Sequence, residues 1–135
     1  MLTRRATPRV RLSGESLVRF RLRDARFFVR PERISEVARL ETYTPLPCTD
    51  PANLGVILHR ERVIPLVDLG PRLGILAGPV TLPTLCVILR TDLGEVASPV
   101  DEVLGLMSLA SGTPPGDPVL EPERFGECDG KSAAG

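Results

Sequence analysis

A strict alternation of apolar and basic residues near the amino end constrains the fold more than any other feature of the chain. The alternating residues are Val18, Arg19, Phe20, Arg21, Leu22 and Arg23. A period of two is that of a β-strand with one buried and one solvated face. We therefore predict that the apolar members face the core and that the arginines face water. The stretch "ARFFVR", 25–30, follows a short polar turn and is predicted to be the hairpin partner.

Further short apolar runs are spread along the rest of the chain, at 55–58, 63–70, 84–90 and 95–109. They lie between turn-forming stretches in a sequence with 12 glycines and 14 prolines. Short strands at close spacing are typical of a small β-barrel or sandwich. The fold class predicted from the residues is therefore all-β.

One segment, "PERISEVARL" at 31–40, is predicted to be a short helix. Pro31 occupies the favoured first helical position, and Ile34 and Val37 lie three residues apart.

Charge is distributed unevenly along the 135 residues. Residues 1–40 hold eleven arginines against four acids, whereas the remainder holds six bases against thirteen acids. A basic half of this kind could meet nucleic acid or an acidic protein surface, or its arginines could simply be the wet faces of strands. The sequence leaves both interpretations open. Residues 1–14 are expected to form a basic flexible arm, and the polar, Pro/Gly-rich residues 110–135 to form a disordered tail.

The cysteines and the apolar runs favour a cytoplasmic protein. Cys48, Cys86 and Cys128 lie far apart and form no Cys-x-x-Cys pair, so neither a zinc site nor a redox motif is indicated. Basic residues at the amino end are followed by no apolar leader, and no run reaches the ~18 residues of a membrane span. We expect no cofactor and no membrane contact.

No catalytic constellation is evident. His59, the single histidine, lies beside Arg60, and Asp68 follows beyond the hairpin turn. Without a Gly-x-Ser-x-Gly elbow to supply a nucleophile, His59 is interpreted as an exposed turn residue. Asp101 and Glu102 are neighbours on a predicted strand and would point to opposite faces, so they do not form a metal site. The chain is predicted not to be an enzyme.

Three blocks of the sequence together resemble a known family. They are "LVRFRLRDARFFVRPERISEVARL", the stretch from Gly55 to Leu69 centred on "RVIPLVDL", and "VDEVLGLMSL". In this order and at these separations they are similar to the CheW-like domains of bacterial chemotaxis coupling proteins. The resemblance covers about residues 16–109, and a CheW-like domain is expected over 15–109.

The resemblance implies two small intertwined, SH3-like five-stranded β-barrels with one or two short helices. The second barrel is expected to be incomplete, because no apolar strands follow residue 109. Family members are non-catalytic adaptors that bind the cytoplasmic tips of chemoreceptors and organise them in arrays with a CheA-type histidine kinase. A short carboxyl end is expected to weaken contact with the kinase regulatory domain and to leave a strand edge open for self-association.

The same resemblance implies a receptor-binding groove between the barrels. Its lining residues correspond by position to Ile34, Gly55, Arg60, Leu85 and Leu106. A supporting ion pair would join Glu36, expected on the short helix, to Arg60. For Ile34, Leu85 and Leu106 a plain core role stays open, since apolar residues at strand spacing are usually buried.

Two residues of the hairpin are interpreted as structural. Asp68 is expected to accept the Gly70 amide in an Asx-turn. Pro65 has no backbone donor, so it is expected at an edge or a bulge. The family's turn reads Asn-Leu-Arg-Gly, and Glu61 replaces its glycine here. If that position is left-handed, either Glu61 destabilises the turn by about 1 kcal/mol or the turn changes shape.

The alternative from another class is a small β-barrel that binds nucleic acid through its basic amino-terminal arm. Such barrels usually stack bases on aromatic side chains, and this chain has only one tyrosine, four phenylalanines and no tryptophan. Nucleic acid is therefore the less favoured partner.

Overall fold

The computed structural model describes residues 15–47, 49–109 and 116–121. The described chain forms two β-sheets, which confirms the predicted all-β class. The strands are β1 Glu15–Leu22, β2 Ala25–Val29, β3 Ile34–Leu40, β4 Thr44–Pro45, β5 Asn53–His59, β6 Arg62–Val67, β7 Thr84–Thr91, β8 Gly94–Val100 and β9 Glu102–Leu109. Within the described residues, the helical segments are two 3-10 turns, Pro31–Arg33 and Gly70–Leu73.

The smaller sheet has three antiparallel strands in the order β9-β1-β2. Phe20 pairs with Phe27 across β1 and β2, and their rings stack with centroids 5.5 Å apart. Phe20 is fully buried, as the alternation predicts. The hairpin predicted from "ARFFVR" is therefore present.

The larger sheet has six strands in the order β3-β7-β8-β6-β5-β4. Its pairs are antiparallel except for β6 and β8, which meet in parallel at Leu66 and Ala97.

The core consists of two clusters that share strand β7. Val87 and Leu89 join the cluster between the two sheets, whereas Cys86 and Ile88 join a second cluster on the other face. A strand buried on both faces shows no polar alternation, which explains the uninterrupted apolar run "TLCVILR". Burial also raises the pKa of the Cys86 thiol to about 11.

The prediction of a short helix over 31–40 is wrong except for its first three residues. After the 3-10 turn at Pro31–Arg33 the chain becomes strand β3. β3 pairs with β7 from Ile34–Leu89 to Leu40–Thr84. Spacings of three between apolar residues suggested a helix, but backbone pairing with β7 satisfies this segment as a strand.

Part of the expected disordered tail packs against β2. The Phe28 amide donates to Pro118 O (2.9 Å), and the Leu120 amide donates to Phe28 O (2.8 Å). Leu120 is 6% exposed and belongs to the cluster between the sheets. For residues 116–121 the expectation of disorder is therefore wrong. The expected basic arm, 1–14, and the tail segments 110–115 and 122–135 lie outside the described residues.

Across the described ranges, no helix is long and apolar enough to cross a membrane. The same residues contain no group of three or more His, Cys, Asp or Glu side chains placed to hold a metal ion.

Candidate protein-binding site

The β5–β6 hairpin ends in a two-residue turn formed by Arg60 and Glu61. His59 and Arg62 close the turn, and both turn residues are left-handed, with φ of 51° and 67°. Positive φ at both central positions is the mark of a type I′ turn, whose twist matches that of the flanking strands. Glu61 therefore holds a left-handed conformation that glycine would adopt without a steric penalty.

The Arg60 side chain turns back from the tip and meets Glu36. Its Nε lies 3.2 Å from Glu36 Oε1, and its terminal Nη2 lies 3.3 Å from Oε2. Glu36 lies on strand β3, not on a helix as expected. Because β3 and β5 are not neighbours in the sheet, this fork joins two strands that share no backbone ladder.

His59 completes the cluster. Its Nε2 lies 3.1 Å from Glu36 Oε2, to which it donates, and 3.3 Å from Arg60 Nε. The His59 side chain is only 19% exposed, so the expectation of an exposed turn histidine is wrong. The cause is its place as the last residue of β5, beside Glu36, rather than in the loop.

The cluster has a defined electrostatic character. The hydrogen bond from Arg60, followed by that from His59, lowers the pKa of the Glu36 carboxyl from its ordinary value of 4.5. The Arg60 side chain is 71% exposed although two of its nitrogens are held. A guanidinium has five N–H donors, so the remaining donors point into solvent from a fixed position.

Three apolar candidates lie near the cluster between the sheets. Ile34 and Leu85 are half-buried and pack against that cluster, as does Val18. Leu106, on β9, is the cross-strand partner of Val18 and is 64% exposed. Ile34 is also two residues from Glu36 on β3. Ile34 and Leu85 therefore combine core packing with partial exposure, whereas Leu106 is largely exposed.

Gly55, the remaining groove candidate, is buried. A Cβ on Gly55 would overlap the backbone oxygen of Thr44, and its φ of 152° favours glycine. The close approach of β4 to β5 accounts for glycine here, so a direct surface role at Gly55 is not supported.

Asp68 lies away from this cluster and organises a buried loop junction. Its Oδ1 accepts the Gly70 amide at 2.8 Å, which is the expected Asx-turn, and its Oδ2 accepts the Gly78 amide at 2.9 Å. Asp68 is 2% exposed. Since its contacts are to these amides and to Arg23, it does not orient His59 as a catalytic acid would.

Arg23 is a structural residue, and its position differs from the expectation that it faces water. It lies in the β1–β2 turn with φ of 53°, not on the wet face of β1. Its terminal Nη2 lies 3.1 Å from Asp68 Oδ1 and donates to Leu76 O at 3.0 Å. A Cβ at position 70 would displace this guanidinium, so Gly70 leaves room for the Arg23–Asp68 contact. The available signal was the "RD" pair at the end of the alternation, a turn position.

Pro65 lies opposite Val56 and is exposed. The expectation of an edge strand or a bulge is wrong in detail, because β6 lies inside the sheet and the irregularity is on β5 between Asn53 and Gly55. β6 pairs with β8 only at Leu66–Ala97 among the described residues. A proline is tolerated at position 65 because no continuous ladder on that side requires the N–H that it lacks.

The charge asymmetry of the sequence is compensated inside the fold. Five arginines from the basic part contact carboxylates from the acidic part: Arg19–Asp117, Arg21–Glu102, Arg23–Asp68, Arg30–Glu121 and Arg33–Asp92. A cationic surface for nucleic acid requires unneutralised charge. These five arginines are therefore neutralised within the fold, whereas the basic arm that the nucleic-acid alternative requires lies outside the described residues.

The described residues thus form a two-sheet, all-β domain that presents a restrained arginine at a hairpin tip. Residues 16–114 match the CheW-like domain family, and the chain belongs to that family. Membership of this non-catalytic family agrees with the prediction that the chain is not an enzyme.

Individual relatives support the assignment. The chain is 30% identical to the chemotaxis protein CheW of Rhizobium meliloti (strain 1021) over 97 residues, 72% of this chain and 63% of that protein. It is 34% identical to the protein FrzA of Myxococcus xanthus over 96 residues, 63% of this chain and 60% of that protein. The chain thus spans less than two thirds of the length of these relatives.

The fold is similar to that of the scaffolding protein TtCheW from Thermoanaerobacter tengcongensis. The TM-score is 0.65 at 21% identity, and the match covers 82% of this chain and 74% of that one.

Proposed function

We propose that this protein is a chemosensory signalling adaptor. It binds the cytoplasmic tip of chemoreceptors and couples them to a CheA-type histidine kinase within cytoplasmic receptor arrays. Its membership of the CheW-like family and its similarity to a chemotaxis protein support the proposal. The observation that carries it is the Arg60 guanidinium, held by Glu36 yet largely exposed.

The arrangement suits recognition of a protein partner. An exposed arginine normally loses side-chain entropy when it binds. Here the left-handed turn and the Glu36 carboxylate already restrict Arg60, so part of that cost is met in the free protein. The donors left over can reach a carboxylate or a backbone carbonyl on a receptor helix.

Apolar area is supplied at the margin between the sheets. Ile34 and Leu85 combine core packing with partial exposure, and Leu106 is 64% exposed. We assign all three to the receptor surface together with Arg60. An apolar margin beside a fixed charge is the usual composition of a specific protein interface.

Reversal of the charge at Arg60 tests the proposal. We expect Arg60→Glu to weaken capture of a purified receptor cytoplasmic tip at least tenfold, because the change removes the donors and places a second carboxylate beside Glu36. Arg39→Glu is the matched control, since Arg39 is 63% exposed and paired with Glu41 on the surface.

Equal loss of binding in both variants would show a general charge effect and contradict a role for Arg60. Binding by Arg60→Glu at the wild-type level would contradict it too. Capture of the kinase regulatory domain, measured in parallel, tests the further proposal that this protein binds the kinase more weakly than the receptor.

A further inference from the structure

The outer edge of strand β2 is covered by a short segment from the carboxyl part of the chain. β2 is the last strand in the order β9-β1-β2, and residues 116–121, here called the strap, run parallel to it. One isolated bridge joins Phe28 to Val119. In it the Phe28 amide donates to Pro118 O, and the Leu120 amide donates to Phe28 O. The strap thus lies where an added strand would lie.

Three side chains of the strap meet matching groups on the sheet. Leu120 is 6% exposed and packs into the cluster between the sheets. Asp117 accepts from Nε and Nη2 of Arg19 at 3.1 and 2.6 Å, and Glu121 accepts from Arg30 at 3.0 Å. The edge of β2 is therefore complementary to an extended segment that has a leucine, one acid three residues before it and another acid directly after it.

The strap holds this edge incompletely. Pro118 has no N–H, so the strap cannot extend the ladder to the Arg26 carbonyl, the next acceptor along the outer edge of β2. The ion pair of Arg19 with Asp117 is partly exposed, at 32% and 27%, and such pairs contribute little to stability. One buried leucine and two backbone hydrogen bonds must therefore offset most of the entropy that the strap loses when it is ordered.

We infer that the outer edge of β2 is a binding site for an extended acidic segment of another protein, and that the strap covers this site in cis. The strap is the observed occupant, and its leucine and two acids define the chemistry of the partner segment. A second copy of this chain brings the same proline and gains no backbone bond over the strap. A different protein that lacks this proline gains the bond to Arg26. The site is separate from the Arg60 surface and goes beyond the receptor binding proposed above.

Amide hydrogen exchange of the unaltered protein, followed by NMR, tests whether the strap opens by itself. Successive amides of a strand point to opposite sides, so Phe27 directs its amide to β1 and Phe28 directs its amide to the strap. We expect the Phe28 and Leu120 amides to exchange at least tenfold faster than the Phe27 amide, because release of the strap leaves β1 and β2 paired. Equal rates would mean that the strap opens only with the whole fold, and would overturn the inference.

A fluorescent peptide added in trans tests the partner. Leu120→Asp places a charge in the apolar cluster and should release the strap. A peptide of residues 116–121 with Pro118→Val, measured by fluorescence anisotropy, should bind the Leu120→Asp protein at least tenfold more tightly than the unaltered protein. The peptide that keeps the proline should bind at least threefold more weakly. Leu93→Asp is the matched protein control, because Leu93 is 78% exposed in the β7–β8 turn and its replacement should not change peptide binding.

A charge exchange tests the register. Arg19→Glu in the Leu120→Asp protein should weaken binding of the peptide at least tenfold, and Asp117→Lys in the peptide should restore it. Circular dichroism verifies that each variant is folded, and Leu120→Ala takes the place of Leu120→Asp if the latter does not fold.

Three results of the peptide experiment would overturn the inference. They are the absence of saturable binding to the folded, strap-released protein, equal binding of a peptide that itself carries Leu120→Asp, and equal binding to the unaltered protein. Concentration-dependent dimerisation of the unaltered protein would assign the edge to the strap of a second copy and overturn the choice of partner. None of these variants alters Arg60 or Glu36, so failure here leaves the proposed receptor binding to its own test.

Discussion

Two arginine–carboxylate pairs in this molecule have the same chemistry and opposite surroundings. In the pair at the loop junction, the Arg23 and Asp68 side chains are 34% and 3% exposed. In the pair at the hairpin tip, the Arg60 and Glu36 side chains are 71% and 30% exposed. Both arginines have positive φ in two-residue hairpin turns. The turns thus present their arginines in a similar way, and what lies around them differs.

The difference teaches how environment divides structural from binding roles. Asp68 also accepts two backbone amides, so its charge is used completely within the fold. Glu36 restrains Arg60 without enclosing it, so donors stay available to a partner. A buried carboxylate with several donors is costly to neutralise even when its arginine is 34% exposed, whereas an exposed pair contributes little to stability.

The largest effect is expected at the buried junction. Asp68→Asn keeps the shape of the side chain but removes the charge and places an NH₂ group beside donors. We expect the free energy of unfolding to fall by about 3 kcal/mol, since the Arg23 guanidinium and one amide lose their acceptor. Urea denaturation followed by circular dichroism measures this change.

Asp101→Asn is the matched variant, because Asp101 accepts the Arg23 backbone amide at 2.5 Å from a 40% exposed side chain. A loss at Asp101 as large as that at Asp68 would show that burial is not the deciding difference.

A smaller effect, of opposite sign, is expected at the exposed tip. Glu61→Gly relieves a left-handed residue with φ of 67° and should raise the free energy of unfolding by about 1 kcal/mol. Glu61→Ala removes the same carboxylate but keeps the Cβ, so no such gain is expected. An equal gain in both variants, measured by urea denaturation, would assign the effect to charge and not to backbone strain.

The sequence predicted features that depend on neighbours along the chain. The alternation at 18–22 predicted the first hairpin, and Asp68 followed by Gly70 predicted the Asx-turn. The sequence did not predict that Arg23 would reach Asp68, 45 residues away, because that contact depends on how the two loops meet in space.

The helix prediction for segment 31–40 was wrong for a related reason. A spacing of three between apolar residues indicates a helix only if no strand is available for pairing, and β7 supplies one. Within the candidate site, the Glu36–Arg60 contact was predicted only from the resemblance to a family. The participation of His59 required the structure, since its side-chain direction depends on the turn type.

The smallest expected effect is the titration of Glu36. Its pKa lies below the ordinary 4.5 chiefly because of the Arg60 hydrogen bond, with His59 second. A lowered pKa in the folded state stabilises the fold above pH 4.5, and this contribution is lost as the pH falls below that value. Carboxyl ¹³C NMR should therefore show Glu36 titrating below 4.5, and Arg60→Gln should move the midpoint up towards it. Arg39→Gln should leave the midpoint unchanged. An unshifted midpoint in Arg60→Gln would mean that Arg60 is not held by Glu36 in solution, and the contrast with the buried pair would then be one between a fixed arginine and a free one.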